Sequence, residues 1–376
     1  MRTYNDLYEP AKDINNIMKA IGTAAKHKHR RRDVNRVLKD KHKYANRVQK
    51  KLMTHSFEPS PYVGHNTRDG SKNKEREIAK PKFCYDQIMA HVLIQQLQPI
   101  ILKSLYHHVY GSLEERGQKQ VKQTIEKWIR NDPKGTKYAG YGDVTKFYPS
   151  IDQDILSAKL HRKIKDKDFL IECDKFVYHT DHGLALGDPT SVWYGHFYLS
   201  DMDHFITQLD GVAHYIRLMD DFVIFGPNKK KLHRAMDAIR AYLYNELHLR
   251  LKFNYQVFRL DWIDRQGEHH GRFLDIDGFR FYRDRTILRK NIMIHATRKA
   301  AKIECKDAPT VHDARQMMSH LARLEMADTY NVYEKYIKGK VKPKQLRKTI
   351  SSYDRKERSK WSGNRSRDTR PKDPPK

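Results

Sequence analysis

The chain has 376 residues, enough for two or three domains that each bury a hydrophobic core. Its formal net charge of +28, from 74 Lys and Arg against 46 Asp and Glu, favours a polyanionic partner, with nucleic acid as the first candidate. It has no apolar run near the ~18 residues of a membrane span, no cleavable signal and no cysteine pair at metal-ligand spacing, so we expect a cytoplasmic protein that does not enter membranes.

The first part of the chain, residues 1–56, is predicted to form a basic helical extension. Val34, Val37, Val48 and Leu52 recur at roughly helical spacing, and Lys and Arg fill the other faces. Because acidic partners are scarce here, we expect an arm that contacts phosphate groups. A solvated helix face is the alternative.

The central part of the chain alternates strand-like and helical patterns. The segment REIAKPKFCYDQIMAH runs from a short strand into a long amphipathic helix that begins near Asp86, and a second helix follows YGSLEERGQKQ. YGDVTKFYPSID predicts a strand that ends in a turn, and LALGDPTSVWYG predicts a Gly-rich loop that enters a helix. YIRLMDDFVIFG, residues 215–226, predicts a β-hairpin followed by another helix.

The last part of the chain is predicted to be strand-like, then helical, then disordered. LRLKFNYQVFRLD and FLDIDGFRFYRD have strand patterns, and a basic helical segment follows at about 291–345. The tail at 346–376 is rich in Ser, Lys, Arg and Pro, a composition typical of disorder.

Three aspartates are the candidate chemical centre. Asp220 and Asp221 lie at the predicted hairpin tip, where turn chemistry is the alternative explanation, and Asp143 lies on another predicted strand. Three carboxylates within ~4 Å of one another repel by roughly 4 kcal/mol per pair at an effective dielectric near 20, which favours an intervening cation. Oxygen ligands select Mg²⁺ or Mn²⁺, and two such ions support in-line phosphoryl transfer.

The ordered motifs from about Phe57 to Ala301 resemble those of reverse transcriptases, and within them the prokaryotic retroelement enzymes. GDVTKFYPSID resembles the palm motif of that family. The resemblance implies that Asp143 is the first metal ligand, that Val144 offers its carbonyl to a metal, and that Tyr148 excludes a ribose 2′ hydroxyl.

The LMDD segment resembles the YxDD box of the same family. The resemblance implies that Asp220 is the second metal ligand and Asp221 a supporting carboxylate that also faces the metal, with Leu218 in place of the usual tyrosine. KEREIAKPKFCYDQIMAH resembles the fingers segment, which implies that Arg76 binds nucleotide phosphates.

LALGDPTSVWYG resembles the motif in which many relatives place, just before a glycine, a glutamine that contacts the incoming nucleotide. Here those positions are Leu186 and Gly187, and with Phe147 they complete the implied nucleotide site. An aliphatic residue at 186 resembles the enzymes of diversity-generating retroelements, whereas Val192 departs from their pattern.

LKFNYQV and DGFRFY resemble the fourth palm motif and the primer grip, with Gln256 near the place of a lysine in many relatives. The primer- and template-binding residues that this resemblance implies are Gly278, Phe279, Arg289, Lys290, Arg298 and Lys299.

The resemblance therefore implies an α+β fold of the right-hand polymerase type. Its parts would be a basic helical N-terminal arm at 1–56, fingers and an antiparallel palm sheet at 57–275, a primer grip and helical thumb at 276–345, and a disordered basic tail at 346–376. The implied function is an RNA-directed DNA polymerase that uses two Mg²⁺ ions, or Mn²⁺, and deoxynucleotide triphosphates to make cDNA.

The implied template is a dedicated structured non-coding RNA in a bacterial or phage retroelement. A domesticated reverse transcriptase of antiphage defence is an alternative setting, and a non-catalytic RNA-binding scaffold is an alternative of another class. An accessory protein or a second copy of the chain is a further partner left open.

Two other groups of polar residues are assigned structural places. The histidine pairs at 107–108 and 269–270 lack ligand partners at metal-binding spacing, which favours loop or surface histidines. Asp201 and Asp203 follow on a predicted helix and are expected to be surface or capping charges.

Overall fold

The computed structural model describes residues 3–69 and 74–366, which form two compact units, Met1–Arg259 and Leu260–Lys376. Within the described range, the side chains of residues 68, 69, 74, 76, 357, 358 and 360–366 are left out of the description. No helix among the described residues combines the length and apolar character needed to cross a membrane.

The first unit combines many helices with one central sheet. Its helices are α1 (Tyr8–Lys12), α2 (Ile14–Ala25), α3 (Arg32–Lys39), α4 (Lys41–Met53), α5 (Ile88–Ser104), α6 (Gln118–Asn131), α7 (Phe147–Ser150), α8 (Gln153–Lys163), α9 (Lys167–Val177), α10 (Pro189–Tyr198), α11 (Ser200–Thr207) and α12 (Lys229–Leu247). Its strands are β1 (Gly64–Asp69), β2 (Lys74–Ala79), β3 (Val109–Tyr110), β4 (Tyr138–Asp143), β5 (His214–Leu218), β6 (Asp221–Gly226) and β7 (Gln256–Arg259).

The central sheet has the strand order β3-β5-β6-β4-β7, and β1 and β2 form a separate hairpin. Only the short β3 runs parallel to its neighbour β5, whereas the other pairs are antiparallel. The middle strand β6 has five consecutive buried residues after Asp221, as expected for a strand covered on both faces. The mixed helix-and-sheet architecture and the 215–226 hairpin are therefore as predicted.

The N-terminal helices form as predicted, but they are not an arm. Ile17 and Ile21 of α2 and Val34 and Val48 of the next helices are fully buried, and they belong to the same hydrophobic core as α5. The charged residues lie on the outer faces, so a high density of Lys and Arg concealed a narrow apolar stripe. The predicted arm is thus corrected to an integral layer of the first unit.

This correction predicts that Ile21→Ala destabilises the first unit by about 3 kcal/mol, because a fully buried side chain leaves a cavity against α5. Urea denaturation followed by circular dichroism measures this free energy. Lys19→Ala on the exposed face of the same helix is the matched control and should change stability by less than about 0.5 kcal/mol. If the two changes had equal effects on stability, the packing of these helices into the core would be wrong and the prediction of a separate arm would stand.

The described residues of the second unit form two small sheets and four helices. These are the hairpin β8 (Trp262–Ile263) and β9 (His269–His270), the antiparallel sheet β10 (Leu274–Ile276), β11 (Phe279–Phe281) and β12 (Thr286–Leu288), and the helices α13 (Lys290–Glu304), α14 (Val311–Leu324), α15 (Tyr330–Tyr336) and α16 (Pro343–Ser366). The predicted boundary between palm and primer grip, after residue 275, falls inside strand β10, which pairs with β11. This sheet therefore lies within one unit. The division into fingers, palm and thumb stays a prediction.

The tail predicted to be disordered from 346 is helical to Ser366, which is a correction. Leu346 is buried, and α16 packs along α14, where Arg315 forms an ion pair with Asp354 and lies over the ring of Tyr353. Sparse apolar contacts on one face therefore order a helix whose composition is otherwise typical of disorder. Residues 367–376 lie outside the described part of the chain.

Candidate active site

The 215–226 hairpin places two aspartates at one end of the central sheet. Leu218 pairs with Asp221 across the hairpin, and Met219 and Asp220 form the two-residue turn. Met219 has φ +56°, a left-handed conformation that suits tight turns but is uncommon for a side chain of this size. The side chains of Leu218 and Met219 pack over Gly111, where a Cβ would lie 2.8 Å from Met219 Cγ.

The third aspartate lies directly opposite. Asp143 is the last residue of β4 and pairs in register with Asp221 of β6, so the two side chains share one face of the sheet. The next residue, Val144, donates its backbone N–H to the carbonyl of Asp220 at 3.3 Å. The structure therefore brings together Asp143, Asp220 and Asp221, as well as the backbone of Val144, at a single sheet end.

The cluster of three aspartates at this sheet end fits a hard divalent cation. Asp143 Oδ1 is buried and accepts no hydrogen bond from the described residues, although its partner oxygen Oδ2 forms an ion pair with Lys252. Asp221 Oδ1 accepts a hydrogen bond from the Tyr141 hydroxyl at 2.7 Å. A buried carboxylate oxygen without a donor, beside two further carboxylates, is a donor set of the kind that Mg²⁺ and Mn²⁺ prefer.

Lys252 is a site residue that sequence reasoning missed. Its backbone N–H donates to the carbonyl of Asp143 at 2.9 Å, and its ammonium group contacts the Asp143 carboxylate. The resemblance pointed instead to Gln256, which is exposed and pairs with Tyr141 in the sheet. The available signal was the lysine in LKFNYQV, four residues earlier.

Replacing Lys252 with methionine is expected to tighten Mn²⁺ binding by about 3- to 10-fold. The ammonium group and a divalent cation compete for the same carboxylate of Asp143, and methionine keeps the length of the side chain. Electron paramagnetic resonance of Mn²⁺ added to the nucleotide-free protein measures the affinity. Lys230→Met on the exposed surface of α12 is the matched control, and weaker binding in Lys252→Met would contradict the competition.

Tyr148 lies close enough to Asp220 for the two side chains to interact electrostatically. Burial, followed by the charge of Asp220, raises the pKa of the Tyr148 hydroxyl well above its ordinary value, so the hydroxyl remains protonated at neutral pH. The ring packs against Phe147 with centroids 5.2 Å apart, and Gly195 of α10 lies against both rings. The two rings therefore form an aromatic wall beside Asp220.

The LALGDP loop is held between this wall and β2. Leu184 donates its backbone N–H to the carbonyl of Tyr148 at 2.8 Å, and the carbonyl of Leu186 accepts a hydrogen bond from Ala79 at 2.7 Å. Gly187 has φ +108°, and a Cβ there would lie 2.5 Å from the carbonyl oxygen of Ala79, so only glycine fits. Arg76 precedes Ala79 on β2, but its side chain lies outside the described residues.

The predicted primer- and template-binding residues of the second unit take different structural places. Gly278 (φ +85°) forms the β10–β11 turn with Asp277, and the side chain of Phe279 is buried. Arg289 forms an ion pair with Asp275.

The helical cations of this group also differ. Lys299 donates to buried Asp313 at 2.7 Å and is mostly buried itself, whereas Lys290 and Arg298 are exposed. Lys299 and Phe279 therefore have partners within the unit, and Lys290 and Arg298 remain the candidates for nucleic-acid contact.

The second unit contains a separate cluster of residues with the spacing of metal ligands. Asp261, His269 and Asp284 each offer one ligand atom within 4.8 Å of the others, which corrects the expectation that His269 lacks acidic partners. However, His269 Nδ1 lies 3.0 Å from Asp261 Oδ1, and Arg285 donates to Asp284 at 2.9 Å. Asp261 is thus already paired with His269, and Asp284 with Arg285.

Comparison with models of known protein families found no match, and comparison with curated protein sequences found none. Among solved structures, telomerase from Candida albicans in complex with the TWJ fragment of telomeric RNA shares 11% identity, with 75% of this chain and 55% of that chain covered and a TM-score of 0.44. Apo telomerase from Candida tropicalis shares 11% identity, with 78% and 63% covered and a TM-score of 0.46. The chain thus spans less than two thirds of the length of each of these proteins.

Proposed function

We propose that the chain is an RNA-directed DNA polymerase. The observation that carries the proposal is the convergence of Asp143, Asp220 and Asp221 at one sheet end, with a buried Asp143 oxygen that lacks a donor among the described residues. Clustered carboxylates that face a polyanionic substrate favour a function that uses cations, because a pure nucleic-acid binder gains nothing from them.

The predicted site residues of the first unit divide into metal ligands, residues beside the sugar and base, and a phosphate-binding arginine. Asp143, Asp220 and Asp221, together with the carbonyl of Val144, would hold two Mg²⁺ or Mn²⁺ ions. When bound, such ions lower the pKa of a primer 3′ hydroxyl and neutralise the triphosphate. Tyr148 and Phe147 form the wall against the sugar, Leu186 and Gly187 line the nucleotide site, and Arg76 binds phosphate.

The proposed template is a structured RNA, and the exposed basic surface supports it. The outer faces of α3 and α4 carry exposed Arg32, Arg36, Lys43, Arg47 and Lys50, and the second unit exposes Lys290 and Arg298. Contacts between such residues and phosphate groups release counterions, so the affinity should fall steeply with salt. The deoxynucleotide triphosphates and the cDNA product complete the set of partners.

The proposed setting is a bacterial or phage retroelement with a dedicated non-coding RNA. Leu186, in place of a glutamine, favours an element that writes mutated cDNA for sequence diversification. Val192 departs from the pattern of those elements, and with Leu218 in place of the usual tyrosine it favours a reverse transcriptase domesticated for antiphage defence. Sequencing the RNA that co-purifies with the protein, and the cDNA made from it, distinguishes the two.

The test is incorporation of labelled deoxynucleotides by the purified protein with its co-purifying RNA, in Mg²⁺ or Mn²⁺ and in excess chelator. The polymerase proposal predicts cDNA that appears only with the ions. RNA binding with no incorporation under any of these conditions would favour the non-catalytic scaffold.

A further inference from the structure

A fully buried ion pair lies directly beneath the hairpin tip. Arg217 of β5 and Asp203 of α11 are 1% and 0% exposed, and the guanidinium donates from Nε and Nη2 to the two carboxylate oxygens at 2.6 Å each. The Tyr215 hydroxyl donates to the same carboxylate at 2.6 Å. Because desolvating two charges can cost more than their attraction returns, stability alone is a weak reason for such a pair.

The third nitrogen of the guanidinium, Nη1, reaches the turn that carries Asp220. Arg217 Nη1 donates to the backbone carbonyl of Met219 at 2.9 Å, and the next residue in the chain is Asp220. Met219 is the residue in the left-handed conformation, and its N–H donates to the carbonyl of Tyr110 at 3.1 Å. Both backbone groups of Met219 are therefore fixed by neighbours, and the direction of the following peptide is fixed with them.

A histidine links this pair to the neighbouring strand. His196 of α10 donates from Nε2 to the carbonyl of Gly111 at 2.8 Å, and its Nδ1 lies 3.5 Å from Arg217 Nη1. Burial, followed by the charge of Arg217, lowers the pKa of His196 to about 3, so the ring is neutral and Nδ1 faces the guanidinium as an acceptor. The same guanidinium thus faces the turn, Asp203 and His196.

We propose that Arg217 and Asp203 are positioning residues, which set the backbone of the Met219–Asp220 turn and thereby the place of the Asp220 carboxylate. This inference rests on the proposed function, since it assigns the pair to the placement of a metal ligand. Asp203 orients the guanidinium through two hydrogen bonds, and the guanidinium holds the Met219 carbonyl. Neither side chain needs to touch the nucleotide.

The test separates positioning from packing by replacing the polar group with an apolar one. The triple variant Arg217→Met, Asp203→Leu, Tyr215→Phe removes the charges and the hydroxyl together, so no buried charge is left unpaired and the fold should persist. Arg217→Lys, which keeps the charge opposite Asp203 but not the forked geometry, is the second variant. Lys159→Met, which removes the buried ammonium group of an ion pair with half-exposed Asp201, is the control.

Two readouts are measured on folded protein: Mn²⁺ affinity of the nucleotide-free chain by electron paramagnetic resonance, and the Mg²⁺ concentration for half-maximal deoxynucleotide incorporation. We expect the Mn²⁺ dissociation constant and the half-maximal Mg²⁺ concentration to rise at least tenfold in the triple variant and by a smaller factor in Arg217→Lys. Both values should be unchanged in Lys159→Met. Wild-type values in a folded triple variant would overturn the proposal. If the triple variant does not fold, wild-type values in Arg217→Lys overturn it.

The two proposals fail in distinguishable ways. Suppose that the wild type binds Mn²⁺ and that Asp220→Asn does not. If the wild type then incorporates no nucleotide, the proposed polymerase function is wrong. Positioning is then judged from the Mn²⁺ affinities alone. If the wild type binds no Mn²⁺, both proposals are overturned.

Discussion

Asp143→Asn is expected to reduce deoxynucleotide incorporation by at least about 10³-fold, equivalent to about 4 kcal/mol of transition-state stabilisation. Asparagine keeps the shape of the side chain at the end of β4 but removes the charge that the proposed ions need. The Asp143 oxygen without a donor is the atom whose chemistry changes most. RNA affinity should stay near the wild-type value or rise slightly, because a negative charge facing a polyanion is lost.

Asp181→Asn is the matched control for this prediction, since it makes the same change at an exposed position of the first unit. Its incorporation rate should remain within about twofold of the wild type. Single-turnover incorporation on a primed RNA template measures the chemical step for all three proteins, and filter binding measures RNA affinity. A folded Asp143→Asn protein with near-wild-type turnover would remove Asp143 from the active site.

Tyr148→Ala is expected to raise ribonucleotide incorporation relative to deoxynucleotide incorporation by about 10- to 100-fold. The ring is held by Phe147 and Gly195 and stands beside Asp220, so alanine opens space where a 2′ hydroxyl would otherwise clash. Discrimination by shape in such a pocket is worth about 1–3 kcal/mol, which sets the size of the effect. Competing the two nucleotides in one primer-extension reaction measures the ratio.

Tyr148→Phe separates the ring from the hydroxyl. The phenylalanine variant keeps the wall and loses only a protonated hydroxyl group, so its discrimination should match the wild type. If alanine leaves discrimination unchanged, the steric role of Tyr148 is wrong. If phenylalanine loses discrimination as fully as alanine does, the hydroxyl rather than the ring makes the selection.

The cluster of Asp143, Asp220 and Asp221 could be predicted from the sequence because each aspartate lies in a segment with a recognisable local pattern. Alternating and apolar strand patterns on both sides of Asp220 and Asp221 predict a hairpin whose tip carries both residues. Asp143 ends a strand of similar character. Their meeting needs only that two strand ends lie side by side in one sheet, which a polymerase-type palm implies and which the pairing of Asp143 with Asp221 displays.

The supporting contacts lacked such signals, because sequence does not say which charges are buried. Asp203 lies on a helix among polar residues and was expected at the surface, yet it is fully buried against a strand arginine 14 residues away. Lys252 reaches Asp143 across 109 residues through the path of the chain after α12. The apolar stripes of the N-terminal helices and of α16 are narrow beside their many charges, so composition outweighed periodicity in predicting an arm and a disordered tail.

We propose that Asp220 belongs to a metal-dependent polymerase site. Its most direct test is primer extension with the co-purified RNA in Mg²⁺ or Mn²⁺, comparing wild type with Asp220→Asn at equal RNA occupancy. We expect cDNA synthesis by the wild type and a loss of at least about 10³-fold in Asp220→Asn, with RNA binding retained. Absence of deoxynucleotide incorporation by both proteins while both bind RNA, or equal incorporation by both, would contradict it.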